Sequence, residues 1–200
     1  MPPRLEIDEF DGSAWIGVLP FRLTGFRLRG LVAASRLSSF PELNVRTYVT
    51  AGGKPGILFI SLDAARRWAV VGARRLYGLP YYDARMSMTK GDWIDFSSER
   101  VSGRRRFRAR YRPAGPAAEV EPGSLEHFLT ERYRLYTSHR SRIFCGEAHH
   151  IPWSIQPAEA EIEQNTMVPA SIPLEGEPLL HYAARQDALI WPLRRIESAP

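Results

Sequence analysis

The feature that most constrains the fold is a pair of β-type runs around one glycine-rich turn. Asn44-Val45-Arg46-Thr47-Tyr48-Val49-Thr50 alternates with period two, Ala51-Gly52-Gly53-Lys54-Pro55-Gly56 follows, and Ile57-Leu58-Phe59-Ile60-Ser61-Leu62 resumes an apolar run. Period two puts successive side chains on opposite faces, and a turn of this composition reverses the chain, so the segment reads as a β-hairpin. Its first strand has an unusual face: Asn44, Arg46 and Tyr48 point one way, Val45, Thr47 and Val49 the other. Either the polar face meets water and the valine face meets the core, or the polar face lines an internal cavity with a fixed positive charge.

Further strands are expected on both sides of the hairpin. Trp15–Leu19 reads as a short buried strand that Phe21–Leu23 continues past Pro20, and Gly30–Pro41 reads as a loop. Asp63 stands where an N-cap belongs, ahead of a helix over Ala64–Tyr77 that puts Ala65, Trp68, Ala69, Gly72 and Leu76 on one face. Gly78 and Pro80 stop it. Strands are expected at Tyr81–Thr89, Asp92–Ser97 and Arg104–Arg112, then a Pro/Gly/Ala connector to Gly123. Ser124 can cap a second helix over Leu125–Tyr133, and β-type stretches return at Tyr133–Thr137, Arg142–Glu147, Glu159–Met167 and Asp187–Ile196. The pattern is an α+β fold: a mostly antiparallel sheet, curled or closed into a barrel, with a few peripheral helices.

Two hundred residues fit a single domain over 1–200, and 44% hydrophobic with 24% charged residues excludes wholesale disorder. No apolar run is long enough to span a bilayer, and Met1–Asp8 lacks the apolar core of a signal peptide, so no membrane partner is expected. A single cysteine, Cys145, forms no intrachain disulfide, which makes the reducing cytoplasm the expected compartment. The net charge is +5, yet only Lys54 and Lys90 are lysines among 27 basic residues, which leaves 25 arginines. Two side-chain amines are all that a Schiff-base mechanism could use.

The motifs each carry two readings. Arg104–Arg112 places Arg106, Arg108, Arg110 and Arg112 on one strand face, which suits a polyanion or an ordinary solvated face; no base-reading motif accompanies it, so no specific nucleic-acid partner is expected. Glu147 and His149 share a face of their strand while His150 points away; too few ligands converge for zinc, and a polar pair lining a pocket is the simpler reading. Cys145 could pair with a nearby histidine but reads as an inert buried thiol. No glycine-rich nucleotide loop and no Gly-x-Ser-x-Gly elbow is present, so no cofactor is expected.

Phe40-Pro41-Glu42-Leu43-Asn44-Val45-Arg46-Thr47-Tyr48-Val49, Ser61-Leu62-Asp63-Ala64, Gly78-Leu79-Pro80-Tyr81-Tyr82, Pro122–Tyr133 and Gly146–Trp153 together resemble the YqjF-like family of uncharacterised bacterial proteins, over about Leu5 to Ile196. The resemblance implies the acetoacetate decarboxylase-like fold, a β-barrel around a central cavity. It also implies a further N-terminal segment that this chain lacks before Leu5, whose loss would expose a sheet edge and favour self-association into a homo-oligomer. Acetoacetate decarboxylases carry paired lysines after a Gly-aromatic-Pro turn, one of which forms the Schiff base. Here Gly78-Leu79-Pro80 leads into Tyr81 and Tyr82, and Arg46 stands where the preceding strand would carry an acid. Phenols form no iminium.

The site implied is a cavity for a small anionic or carbonyl-bearing molecule, anchored by Arg46 and lined by Asn44, Tyr48, Tyr81, Tyr82, Glu147 and His149. The alternative is a lysine-independent enzyme, with a tyrosine or His149 as general acid/base and Glu147 orienting the histidine. Borohydride added with acetoacetate should leave both Lys54 and Lys90 without specific reductive labelling, as read by peptide mass spectrometry. Stoichiometric adduct on either lysine refutes the loss of Schiff-base chemistry.

Overall fold

The sheet grows outward from the expected hairpin. The computed structural model describes residues 5–25, 39–66, 78–139 and 142–196. Along these the chain forms β1 (Glu6–Ile7), β2 (Glu9–Phe10), β3 (Ser13–Ala14), β4 (Ile16–Leu23), β5 (Phe40–Ala51), β6 (Lys54–Ala64), β7 (Tyr81–Lys90), β8 (Ile94–Arg100), β9 (Arg106–Pro113) and β10 (Ala118–Glu119). One helix follows, α1 (Leu125–Thr130), and then β11 (Arg134–His139), β12 (Arg142–His150), β13 (Ser154–Asn165), β14 (His181–Tyr182), β15 (Ala188–Ile190) and β16 (Arg194–Arg195). Ala51 pairs with Lys54 across Gly52 and Gly53, whose φ angles of +56° and +70° make the two-residue turn that matches strand twist.

Most pairings are antiparallel; β6 pairs parallel to both β7 and β11. β5 occupies one edge of β6 along its length, and the other edge is divided, with β11 at Ile57–Leu58 and β7 at Leu62–Ala64. β4 and β1 line the far edge of β5. Leu43 and Val45 of β5 pack with Phe96, Phe107 and Ala109 of β8 and β9, so the sheet curls until distant strands share a core. A second cluster joins Val49 to Leu5, Tyr136 and Ile143, and a third joins Phe40 to Ala64 beside Tyr81.

The fold is mostly sheet with few helices, as the alternation implies, but the expected barrel is corrected to an open sheet. Its strand path ends at β10 on one side and β15 on the other. Division of one β6 edge between two strands splits the sheet instead of continuing it round. The expected N-cap is also corrected: Asp63 and Ala64 belong to β6, and Asp63 is fully buried. Its carboxylate accepts from Arg100 Nε at 2.7 Å and Ser98 Oγ at 3.0 Å. Residues 67–77 of that expected helix, and most of the expected Gly30–Pro41 loop, lie outside the described residues, although Phe40 and Pro41 open β5. Ser124 caps α1 as expected, accepting from His127 N, but the helix stops at Thr130 rather than Tyr133.

The arginine face of β9 is an ion-pair ladder in water. Arg106 meets Glu99 at 2.9 Å, Arg108 meets Glu163 at 3.3 Å, and Arg110 and Arg112 meet Glu161 and Glu159 at 2.7 Å. Each of these arginines is paired with a glutamate. No helix among the described residues is long and apolar enough to cross a membrane.

Burial separates the two kinds of ion pair. Asp63→Ala strands the Arg100 guanidinium, whose side chain is only 9% exposed, beneath the sheet; removing one partner of such a pair costs about 3–5 kcal/mol. Urea unfolding should show a loss of that size, while Arg110→Gln in the exposed ladder should leave the midpoint nearly unchanged.

Candidate functional site

The face of β5 that carries Asn44, Arg46 and Tyr48 is not a water face. Register places Phe40 and Glu42 on the same side, so the row runs Phe40, Glu42, Asn44, Arg46, Tyr48. Tyr48 and Glu42 are 2% and 3% exposed, while Val45 and Val49 on the opposite face are fully buried. Asn44 and Arg46, between Glu42 and Tyr48, are half-buried. Opposite Arg46 the pairing with β6 slips: Val45 faces Ser61 but Arg46 faces Phe59, leaving Ile60 as the extra residue of a bulge. Bulges re-aim side chains and recur beside binding sites.

Helix α1 lies over this row, and two of its last carbonyls are taken by side chains. Leu129 O accepts from Arg46 Nη2 at 2.9 Å and from Tyr48 Oη at 3.1 Å, while Phe128 O accepts from Arg132 Nε at 2.6 Å. These are groups that a helix end leaves without intrahelical partners, which explains why a six-residue helix is stable here. Arg132 also donates to Asp8 Oδ2 at 2.5 Å, and its guanidinium lies 4.0 Å from the Phe128 ring centre and 5.3 Å from that of Tyr48. Phe128 stacks obliquely on both Tyr48 and Phe10. The chain start, α1 and β5 are therefore tied through one buried cation.

Two polar atoms of the row are left over. Arg46 Nε and Asn44 Oδ1 are buried and have no hydrogen-bond partner among the described residues. Leaving such atoms bare costs about 1–3 kcal/mol each, and a bound water or ligand is the usual remedy. Two residues along, Glu42 accepts from the Tyr81 hydroxyl at 3.2 Å. Burial pushes the Glu42 carboxyl up to about 8, against the opposing pull of the Tyr81 hydrogen bond. It therefore carries its proton at neutral pH. The Tyr81 phenol is driven far up by its own burial and then by Glu42, so it too stays protonated.

The structure separates the other expected residues. Tyr81 pairs in register with Leu62 on the Asn44–Arg46 side, whereas Tyr82 pairs with Asp63 and lies on the opposite face, its ring centre 3.8 Å from the Arg100 guanidinium. Glu147 and His149 share a face of β12, as alternation implies, but both are exposed and line a separate surface groove of about 390 Å³ with Tyr133, Arg134 and Trp191. They do not meet Arg46. Cys145 is half-buried, and burial raises its thiol, which keeps it protonated. No group of three or more His, Cys, Asp or Glu among the described residues could hold a metal. Glu42 and Arg132 escaped the sequence reading. Glu42 continues the Asn44-Arg46-Tyr48 alternation by one step, a signal that was present; Arg132 falls where an overlong helix was expected, and nothing marked it.

Residues 1–187 match the model of DUF2071, a family described as an uncharacterized conserved protein. The chain is 50% identical over 200 residues to uncharacterized protein YqjF of Bacillus subtilis strain 168, covering 98% of this chain and 82% of that one. Among solved structures, acetoacetate decarboxylase from Legionella pneumophila aligns with a TM-score of 0.63 at 14% identity, over 98% of this chain and 78% of that one. The enduracididine biosynthesis enzyme MppR complexed with pyruvate aligns with a TM-score of 0.52 at 11% identity, over 83% of this chain and 69% of that one. At these identities the likeness is one of fold.

Glu42 makes stability depend on pH in a definite direction. The unfolded chain titrates this group near its ordinary 4.5 and the folded chain near 8. Below about pH 4.5 both states hold the proton and the contribution is whole. Between the two values only the fold keeps it, so stability falls as pH rises, by on the order of several kcal/mol, and levels off above pH 8. Glu42→Gln, a neutral amide of the same shape, should flatten that difference in paired urea titrations at pH 5, 7 and 9. Parallel curves for the two proteins would refute the assignment.

Proposed function

The chain belongs to the DUF2071 family of uncharacterized conserved proteins, and we propose that it binds a small carboxylate- or carbonyl-bearing molecule in a cavity over the Asn44–Arg46 row. The observation that carries this reading is the pair of buried atoms on one strand face, Arg46 Nε and Asn44 Oδ1, that have no partner among the described residues. A donor on a fixed cation suits a carboxylate or carbonyl oxygen, and a neighbouring acceptor suits a hydroxyl, enol or acid proton on the same small molecule. The proton-bearing Glu42 adds a second donor two residues from Asn44. Pyruvate, held by one structural neighbour, combines the carbonyl and carboxylate groups to which this row is suited.

Schiff-base decarboxylation is not part of the reading, because Tyr81 and Tyr82 replace amines with phenols and only one of them is on the row's side. One observation favours a second reading, a lysine-independent enzyme. A carboxylic acid that keeps its proton at neutral pH can protonate a carbonyl or enolate oxygen, with the Tyr81 hydroxyl bonded behind it. In either reading the partner is a small molecule, with no call on nucleic acid: the acids flanking β9 already satisfy its arginines.

The test begins with pyruvate as probe, followed by chemical-shift changes in the protein. Saturable binding is expected, and Arg46→Gln should weaken it about tenfold to a hundredfold, the worth of one charge-assisted hydrogen bond. Arg46→Lys, which keeps the charge but not Nε, should fall between them. Binding that survives Arg46→Gln unchanged removes the anchor. Conversion of pyruvate over hours, lost in Glu42→Gln, would decide for the enzyme; unaltered pyruvate favours the binding protein.

A further inference from the structure

We propose that the Leu129 carbonyl holds the place of a ligand oxygen, so that the ligand is a carboxylate and α1 is the lid it displaces on binding. The inference rests on the binding reading above and deepens it. Nε and Nη2 of an arginine lie along one edge of the guanidinium and together fit the two oxygens of a carboxylate. Arg110 shows that edge filled on the surface of this protein: Nε donates to Glu161 Oε2 at 2.8 Å and Nη2 to Oε1 at 2.7 Å. At Arg46 the same edge is half used. Nη2 donates to Leu129 O at 2.9 Å, while Nε is buried with no partner among the described residues. A backbone carbonyl gives the fork one acceptor where a carboxylate gives two.

Because Nε is buried, a ligand reaches it only when something covering Arg46 moves. The neighbours within the sheet are fixed, since β4 and β6 pair with β5 on both sides of Arg46. Helix α1 is held differently. None of its residues is buried, and side chains from other elements tie it down. Leu129 O accepts from Arg46 and from Tyr48 Oη, Phe128 O accepts from Arg132, and the Phe128 ring lies 5.3 Å from that of Tyr48 and 5.5 Å from that of Phe10. Segments with so few buried contacts open most readily. A carboxylate that takes both Nε and Nη2 removes the Arg46 bond to Leu129 O, and the Tyr48 hydroxyl can then turn to the ligand as a third donor. The bonds that hold α1 down are thus the bonds the ligand replaces. Phe10 braces the lid from a separate hairpin: among the described residues β2 pairs only with β3.

The experiment titrates pyruvate, acetate and acetone into the wild type, Phe10→Ala and Arg46→Gln, with folding checked by circular dichroism. Amide hydrogen exchange over residues 124–132 of the wild type is followed by mass spectrometry with and without saturating pyruvate. Pyruvate and acetate should bind, and acetone, a carbonyl without a carboxylate, should not. Pyruvate should speed exchange over 124–132 by about threefold or more, because it takes away the bonds that hold the helix. Phe10→Ala, which removes one brace of the closed lid, should bind pyruvate about twofold to tenfold more tightly, the worth of one ring contact. Arg46→Gln should weaken it about tenfold or more. If pyruvate binds through Arg46 but exchange over 124–132 is unchanged or slower, or a folded Phe10→Ala binds no more tightly, α1 is not the lid and the binding reading stands. Acetone bound as well as acetate, and through Arg46, overturns the carboxylate fork alone. If none of the three binds the wild type at millimolar concentration, the lid and the binding reading both fall.

Discussion

Burial of residues on both faces of β5 is the constraint on which the rest of the structure depends. A strand with one wet face can spend its polar residues on water, but here Glu42 and Tyr48 are as inaccessible as Val45 and Val49. Every buried polar atom on that face must find its partner inside the protein, while Asn44 and Arg46 are half-buried. Glu42 is met by Tyr81, while Tyr48 and one arm of Arg46 converge on the Leu129 carbonyl. The helix covering the row is in turn stabilised by the groups it covers. What is left without a partner among the described residues, Arg46 Nε and Asn44 Oδ1, is therefore informative. These two atoms are what the proposed binding rests on.

Arg132 extends the same logic to the chain start. Its guanidinium joins Asp8 to the Phe128 carbonyl and lies against the rings of Phe128 and Tyr48. Asp8 N donates to Tyr48 O, and Ile7 pairs with Val49 in register. The residues from β1 to β2 thus run beside the site and share its scaffold. A cation only 8% exposed is costly to desolvate, but this one is matched by a carboxylate, a carbonyl and two ring faces. Arginine suits the position because a planar guanidinium can donate in its plane while its faces rest on aromatic rings.

The fold was legible wherever the decisive information is local. Alternation in Asn44–Thr50 and the Gly52-Gly53 turn specify the hairpin, and alternation from Arg106 to Arg112 specifies a strand with one charged face. Neither pattern says what the charged face meets, which depends on β13, about fifty residues away. Closure was not legible, because whether a sheet closes depends on which strands share an edge, as β7 and β11 share β6. Asp63 misled for a physical reason: a carboxylate before an apolar run is also what a strand carries when it must hold a buried arginine. The convergence of Asn44, Arg46 and Tyr48 on one face was legible from period two, but their partner, the Leu129 carbonyl, was not. A backbone acceptor leaves no mark in a sequence.

Tyr81 and Tyr82 show how adjacent identical residues come to have different work. Successive residues of a strand face opposite ways, so one phenol enters the polar row and the other the inner face of the curled sheet. There the Tyr82 ring lies flat against Arg100, which also holds Asp63, and it helps to bury a charge in the core. Tyr81 bonds Glu42 on the polar row. The pair is accordingly not a duplicated catalytic element. An amine at position 82 would lose the aromatic face beneath Arg100 and add a second cation against it, while an amine at position 81 would offer Glu42 a charge partner and draw its carboxyl down into the ionised form. The phenol at 81 does the reverse: it bonds the acid without bringing a charge and lets burial keep the proton on it. The row thus holds a neutral acid at Glu42 and a fixed cation four residues along it at Arg46.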